Sequence, residues 1–308
     1  MTRERESRWA LPTALATFAA VALMIVGTFV VHVSGSGDAA ILRSVDEHSS
    51  SIVLSGVLRA LGYALLAIPL VYLFGAVRAR SQRVRRQLIG LVVVAPVFFA
   101  ISTGLGGVAQ KEAASEFVGG EAKSTLSPAE AKQKCASDLK DEGAKEFAEE
   151  FEPKQGETAR EACERRKRED DRAENALGEA SLAPLVTGLG IAGALGFAVA
   201  LFYCCLWAMR TGLLTRFWGS LGMALGVAAL LGLILFALIW FVYFAVLIVD
   251  RLPGGRPPAW EAGEAVPWPS PGERAAASLE ASPEAAEMPV DERLPDDGTE
   301  RRKRKQRE

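Results

Sequence analysis

Polar and apolar residues in this chain are sorted into long blocks rather than interleaved. Five stretches are almost free of charge: 9–33, 52–77, 87–108, 182–209 and 217–249. A helix that crosses a ~30 Å hydrocarbon layer needs about 20 apolar residues, and each block is long enough. None keeps the polar stripe of a surface helix in a water-soluble protein. The pattern predicts an all-α integral membrane bundle of five apolar helices at about those positions. The last block is ambiguous. At ~1.5 Å per residue it runs about 50 Å, long for one tilted crossing and short for two. A tight hairpin near Gly232 would make a sixth crossing, so the side on which the chain leaves the membrane stays open.

The polar blocks orient the bundle. Segment 78–86 reads RARSQRVRR and holds Arg78, Arg80, Arg83, Arg85 and Arg86 without an acid. Short arginine-rich loops stay in the cytoplasm. Loop 34–51 sets Asp38, Asp46 and Glu47 against Arg43 and goes outside. The amino terminus is then cytoplasmic, with the first apolar run an uncleaved anchor rather than a signal peptide. The basic loop from Arg210 to Arg216 is also inside, and the long polar insert 108–181 is extracytoplasmic.

That insert predicts a helical hairpin. Ser127-Pro128-Ala129-Glu130 supplies an N-cap serine, a proline at the first helical position and a glutamate three residues on. Cys135, Leu139, Phe147 and Phe151 follow at multiples of four, PKQG at 153–156 breaks the chain, and a second helical pattern runs through Ala159, Ala162 and Cys163 into the charged run 165–172. So few large apolar residues bury little surface, and a small unit of this kind needs a staple. A Cys135–Cys163 disulfide would supply it, contributing ~3–4 kcal/mol in the chain-entropy model. The mixed charges read as a solvated helix surface.

The formal net charge of −2 averages over these segregated blocks and says nothing about partners. Residues 250–308 are rich in Pro, Glu, Gly and Ala and predict a disordered tail. Within it, Pro257-Pro258-Ala259-Trp260 and Trp268-Pro269-Ser270-Pro271 read as extended pieces whose tryptophans suit a membrane surface. The basic run 301–307 would attract anionic lipid if cytoplasmic.

Motifs that usually carry chemistry do not assemble here. Gly188-Leu189-Gly190-Ile191-Ala192-Gly193 spells the dinucleotide fingerprint, but inside an apolar helix, where Gly188 and Gly193 serve close packing instead. Gly222 and Gly226 form a GxxxG, with Ser220, Ala224 and Ala228 extending a small-residue track within the bundle or between protomers. Ser137 and Lys140 spell S-x-x-K without the partner motifs a serine enzyme needs. His32 and His48 are too few for a zinc site, and Cys204 and Cys205 act as small apolar residues. Pro69 and Pro96 predict kinks. Arg59 is the one charge inside an apolar run, and snorkelling to the interface accounts for it. Coupled pumps usually place ionisable groups at mid-depth, and apart from Arg59 the runs hold none. The expectations are therefore no catalytic residue, cofactor or metal, no nucleic acid, and a bilayer plus another membrane or periplasmic protein as partners.

Two stretches, Arg210-Thr211-Gly212-Leu213-Leu214 and Gly254-Gly255-Arg256-Pro257-Pro258-Ala259-Trp260 through Trp268-Pro269-Ser270-Pro271-Gly272-Glu273, resemble a group of uncharacterised multi-span membrane proteins from high-GC bacteria. The resemblance implies a bacterial inner-membrane location, favours a cytoplasmic tail and brings no activity with it. The expected function is structural, scaffolding or sensory-accessory, exerted through partners. The alternative is a passive channel or transporter subunit.

Overall fold

The computed structural model describes residues 3–31, 37–142, 156–252, 255–269 and 272–273. Contacts divide the chain into Met1–Val266 and Pro267–Glu308, and the architecture below is that of the first unit. Its elements are α1 (Arg3–Phe29), α2 (Asp38–Glu47), α3 (Ser49–Arg80), α4 (Ile89–Gly119), α5 (Pro128–Glu142), α6 (Ala159–Glu179), α7 (Ala183–Arg210), α8 (Arg216–Ala228), α9 (Ile234–Ile248) and α10 (Pro258–Ala262).

Four helices are long and apolar enough to cross a membrane: Glu4–Phe29, Ser49–Arg80, Arg86–Gly119 and Ala183–Arg210. They are α1, α3, α4 and α7. Each packs on the next, α8 follows α7, and α9 closes the ring against α1. Within the ring lie Leu66, Leu70, Leu73, Phe74, Phe197, Leu201, Trp240, Phe241 and Phe244, all buried. The outside is as apolar as the inside. On α7, Gly193, Gly196 and Ala200 face inward, while Ile191, Leu195 and Val199 are exposed. A water-soluble helix reverses this. Where lipid is the solvent, helices gain by close approach, so small residues go inside and large ones outside. The helices continue through Pro69 and Pro96.

The block 217–249 is not one helix. It breaks at Gly232, whose φ of 77° suits glycine. The Gly232 N–H donates to the Ala229 carbonyl and the Leu233 N–H to that of Ala228, a Schellman turn that satisfies its own backbone polar groups. Beyond it α9 doubles back on α8: the Trp240 indole donates to the Trp218 carbonyl at 2.9 Å, and the Trp218 and Tyr243 rings stack at 3.5 Å. The two arms have 13 and 15 residues, ~20 Å each, short of a full hydrocarbon layer. The hairpin alternative therefore replaces the fifth long helix, and the chain returns to the end it left.

At the other end, three features extend the expected insert. Helix α4 runs past Val108 to Gly119. The loop expected at 34–51 contains α2. Ala39, Leu42 and Val45 of α2 pack with Ala113 and Phe117 of α4 and with Ala173 and Ala176 of α6, forming a second, smaller core. Helices α5 and α6 lie side by side, joined by the Cys135–Cys163 disulfide with a Cα–Cα distance of 6.0 Å. This region is called the cap below. Phe147, Phe151 and most of the PKQG break lie outside the described residues, as do His32 and the basic run 301–307.

Candidate functional site

Two polar sites stand at opposite ends of the apolar ring. The first is at the basic end. Arg80 was expected only as one of five topology-setting arginines. Arg78, Arg83, Arg85 and Arg86 are exposed, but the Arg80 side chain is fully buried. Its guanidinium donates to both Glu6 carboxylate oxygens, at 2.7 and 2.9 Å, and to the Ala76 and Ala259 carbonyls. It also lies over the Trp260 ring, 5.4 Å from the centroid. Tyr72 stacks on Trp260 and donates its hydroxyl to the Glu6 carbonyl. The Trp260 indole in turn donates to the Leu213 carbonyl. One arginine thus joins α1, α3, the α7–α8 loop and α10.

This latch corrects the expectation for the start of the tail. Residues 258–260 form the first turn of α10, not an extended piece, and Trp260 is buried rather than lying along a membrane surface. The two stretches that carry the family resemblance also meet: the Val266 N–H donates to the Thr211 carbonyl, and Gly212, at φ 77°, leaves no room for a Cβ beside the Val266 carbonyl. Asp250 ends α9 at a φ of 58°, a conformation costly for a side-chain-bearing residue. Arg256 pairs with it at 3.8 Å and donates to the last carbonyls of α9, those of Leu247 and Ile248.

The glycines sort unevenly. A Cβ on Gly193 or Gly196 would collide with Phe99 or Ala95 of α4. Gly222 and Gly226 sit against α7 and α9, so this GxxxG works inside the chain. Its track extends through Gly219 against Met209, while Ser220 and Ala224, expected to extend it, are exposed. Gly188 has nothing within 4 Å of a Cβ and packs against no neighbour. Cys204 and Cys205 are buried free thiols. Ser137 is exposed, its hydroxyl spent on the Lys134 carbonyl.

The second site is in and under the cap. The charges of 165–172 are not a bare solvated face. Lys167 pairs with Asp138 of α5 at 3.0 Å, and Arg43 of α2 with Glu169 at 2.8 Å. Asp170 accepts the Ala39 N–H and so caps α2 from another helix. Asp171 accepts from the Ser124 hydroxyl and the Thr125 and Leu126 N–H groups, fixing the α4–α5 loop. Burial raises its carboxyl pKa, but these donors together outweigh that and hold it below the usual range. The predicted cap at Ser127 and Glu130 is present, and Thr158 and Glu161 repeat it on α6. Both glutamates are held low by hydrogen bonds, from Ser127 and Thr158 respectively.

Beneath α2 is a cavity of about 610 Å³. Its walls are mostly apolar, from α1, α2, α3, α4, α6 and α7, but Arg59 and Gln110 line it too. Arg59 is half-buried here. Its stem lies across Gly27 of α1, where a Cβ would not fit, and its head is beside the Tyr63 phenol. The signal for this site was present in the sequence as the one charge in an apolar run. Among the described residues no cluster of three or more His, Cys, Asp or Glu side chains is placed to hold a metal ion. Comparison with protein-family models, curated proteins and solved structures returns no match.

Proposed function

We propose that this chain is a multi-pass protein of a bacterial inner membrane that acts through partners, as a structural or sensory-accessory component, with its cap as the exposed working part. The observation that carries this reading is mechanical. Helix α4 passes from the apolar ring into the cap without a break, and α6 leaves the cap and enters α7 across only 180–182. Ser181 at that junction donates to Glu112 of α4 at 2.8 Å, tying the two connections together. A partner that shifts the cap must shift two membrane helices. The disulfide, loop closures and ion pairs make the cap stiff enough to transmit such a shift.

The orientation places the basic loops and both ends of Met1–Val266 in the cytoplasm, and the cap outside. Two observations support it. Glu6, Arg80, Leu213 and Trp260 gather at one end, as short basic loops predict for the cytoplasmic face. The disulfide is at the other end, where an oxidising compartment preserves it. On this reading α8–α9 is a re-entrant hairpin from the cytoplasmic side, with four full crossings. Alkaline phosphatase fused at residue 150 should be active and a fluorescent protein at the carboxyl end should fluoresce; the opposite pair of results overturns the orientation. Cross-linking in intact cells should yield a discrete adduct through the cap, and liposomes carrying the pure protein should show no solute flux. Flux without an adduct would favour the alternative, a passive channel or transporter subunit.

A further inference from the structure

We infer that the cavity under α2 binds an amphiphile with a single anionic head group, and that Arg59 receives the anion. The volume of about 610 Å³ falls within the ~300–1,000 Å³ of small-molecule sites. Its wall is two-sided. Ile41, Leu42, Val45 and Ile52 offer an apolar surface, while among the described lining residues Arg59 and Gln110 carry side-chain N–H donors. The serine hydroxyls in the wall are already spent: Ser55 donates to the Gly27 carbonyl and Ser102 to that of Val186.

Charge then selects the ligand. A guanidinium is a cation that offers N–H donors and no acceptor. Among the described residues no acid lines the cavity, and no carboxylate lies within ion-pair reach of Arg59. A charge at apolar depth is costly until it is paired, so this half-buried cation favours an anion over a neutral head. The absence of a side chain at Gly27 lets the stem lie close against α1. One cation matches one negative charge, as on a carboxylate or a phosphodiester. The apolar wall beside it takes the chain attached to that head.

The inference rests on the chain being embedded in a membrane, but not on which side the cap faces. The fusion experiment tests the side and this one does not. Full-length protein in a maltoside detergent is titrated with dansyl-undecanoate and challenged with dodecanoate, dodecanol, a short-chain phosphatidylglycerol or inorganic phosphate. Saturable binding should be displaced by dodecanoate or phosphatidylglycerol at least about tenfold more effectively than by dodecanol. The stronger of those two competitors identifies the source as free fatty acid or lipid. Arg59→Gln should weaken probe binding about tenfold or more, and Arg59→Lys should recover part of it. Gly106→Leu keeps the charge and fills the cavity, whose wall leaves space there, so it should abolish binding. Correct folding is read from formation of the Cys135–Cys163 bond and a single elution peak. Equal displacement by dodecanoate and dodecanol overturns the inference, as does phosphate competing as well as the amphiphiles, or unchanged affinity in Gly106→Leu should Arg59→Gln fail to fold.

Discussion

The latch at the basic end and the cap at the other do the same job with opposite economies. Each holds together segments far apart in sequence. The latch concentrates the task in one buried guanidinium that makes four hydrogen bonds. The cap spreads it over half-exposed pairs such as Arg43–Glu169 and Lys167–Asp138, with one covalent bond behind them. Exposed pairs contribute ~0–1 kcal/mol each, whereas breaking a buried pair by removing one partner costs ~3–5 kcal/mol. A site open to water cannot rely on charge, and so the cap needs a disulfide. A site sealed from water can, provided no partner is lost.

The sharpest way to break that contrast is Arg80→Met. It strands the Glu6 carboxylate and should lower stability by ~3–5 kcal/mol, read as thermal unfolding in detergent. Adding Glu6→Leu should recover much of the loss. If the double variant is no better than the single, the pair is not the centre of the latch. Cys135→Ser should remove ~3–4 kcal/mol, but from the cap alone. Hydrogen exchange should rise across α5 and α6 and stay unchanged in α3. Gly222→Ala should cost ~1–3 kcal/mol by overpacking against Cys205 and Trp240, whereas Gly188→Ala should be neutral or slightly stabilising in the same melting experiment.

The smallest effect is that of acid on the cap. Asp171, Glu130 and Glu161 have folded pKa values below their ordinary 3.8 and 4.5. The stability they add is complete above those ordinary values and is lost as pH falls below them towards the folded values. Exchange in the cap should therefore quicken from about pH 4 downward. Cap exchange that stays flat as the pH falls through that range would remove these carboxylates from the account.

Legibility follows the same division. Apolar length announced the four long helices, and Ser127-Pro128-Ala129-Glu130 announced the start of α5. The paired cysteines were readable because a helical pair so poor in large apolar residues has few other ways to hold. The extension of α4 was not readable: after Val108 it carries Lys111, Glu112 and Glu116, and its buried face is mostly alanine, so the hydropathy signal ends where the helix does not. The break at Gly232 was readable as the turn of the hairpin alternative but not decidable, since no proline, asparagine or charge marks a turn there. Helix α2 was hidden because it is short and buries only three apolar residues, Ala39, Leu42 and Val45, whose partners come from α4 and α6. The role of Arg80 was masked by its four exposed neighbours. Arg59 was visible as an anomaly, but nothing in the sequence placed a cavity beside it.

The latch also dictates an order of events. Its members are separated by 74 residues between Glu6 and Arg80 and by 179 between Arg80 and Ala259. No such bond forms before both partners have been synthesised. Until the ribosome has passed Trp260, Arg80 has no ring to lie against and one carbonyl fewer to bond. Completion of this end thus waits for α10 to be made, and a nascent protein halted near residue 252 would carry its most committed charge half-dressed.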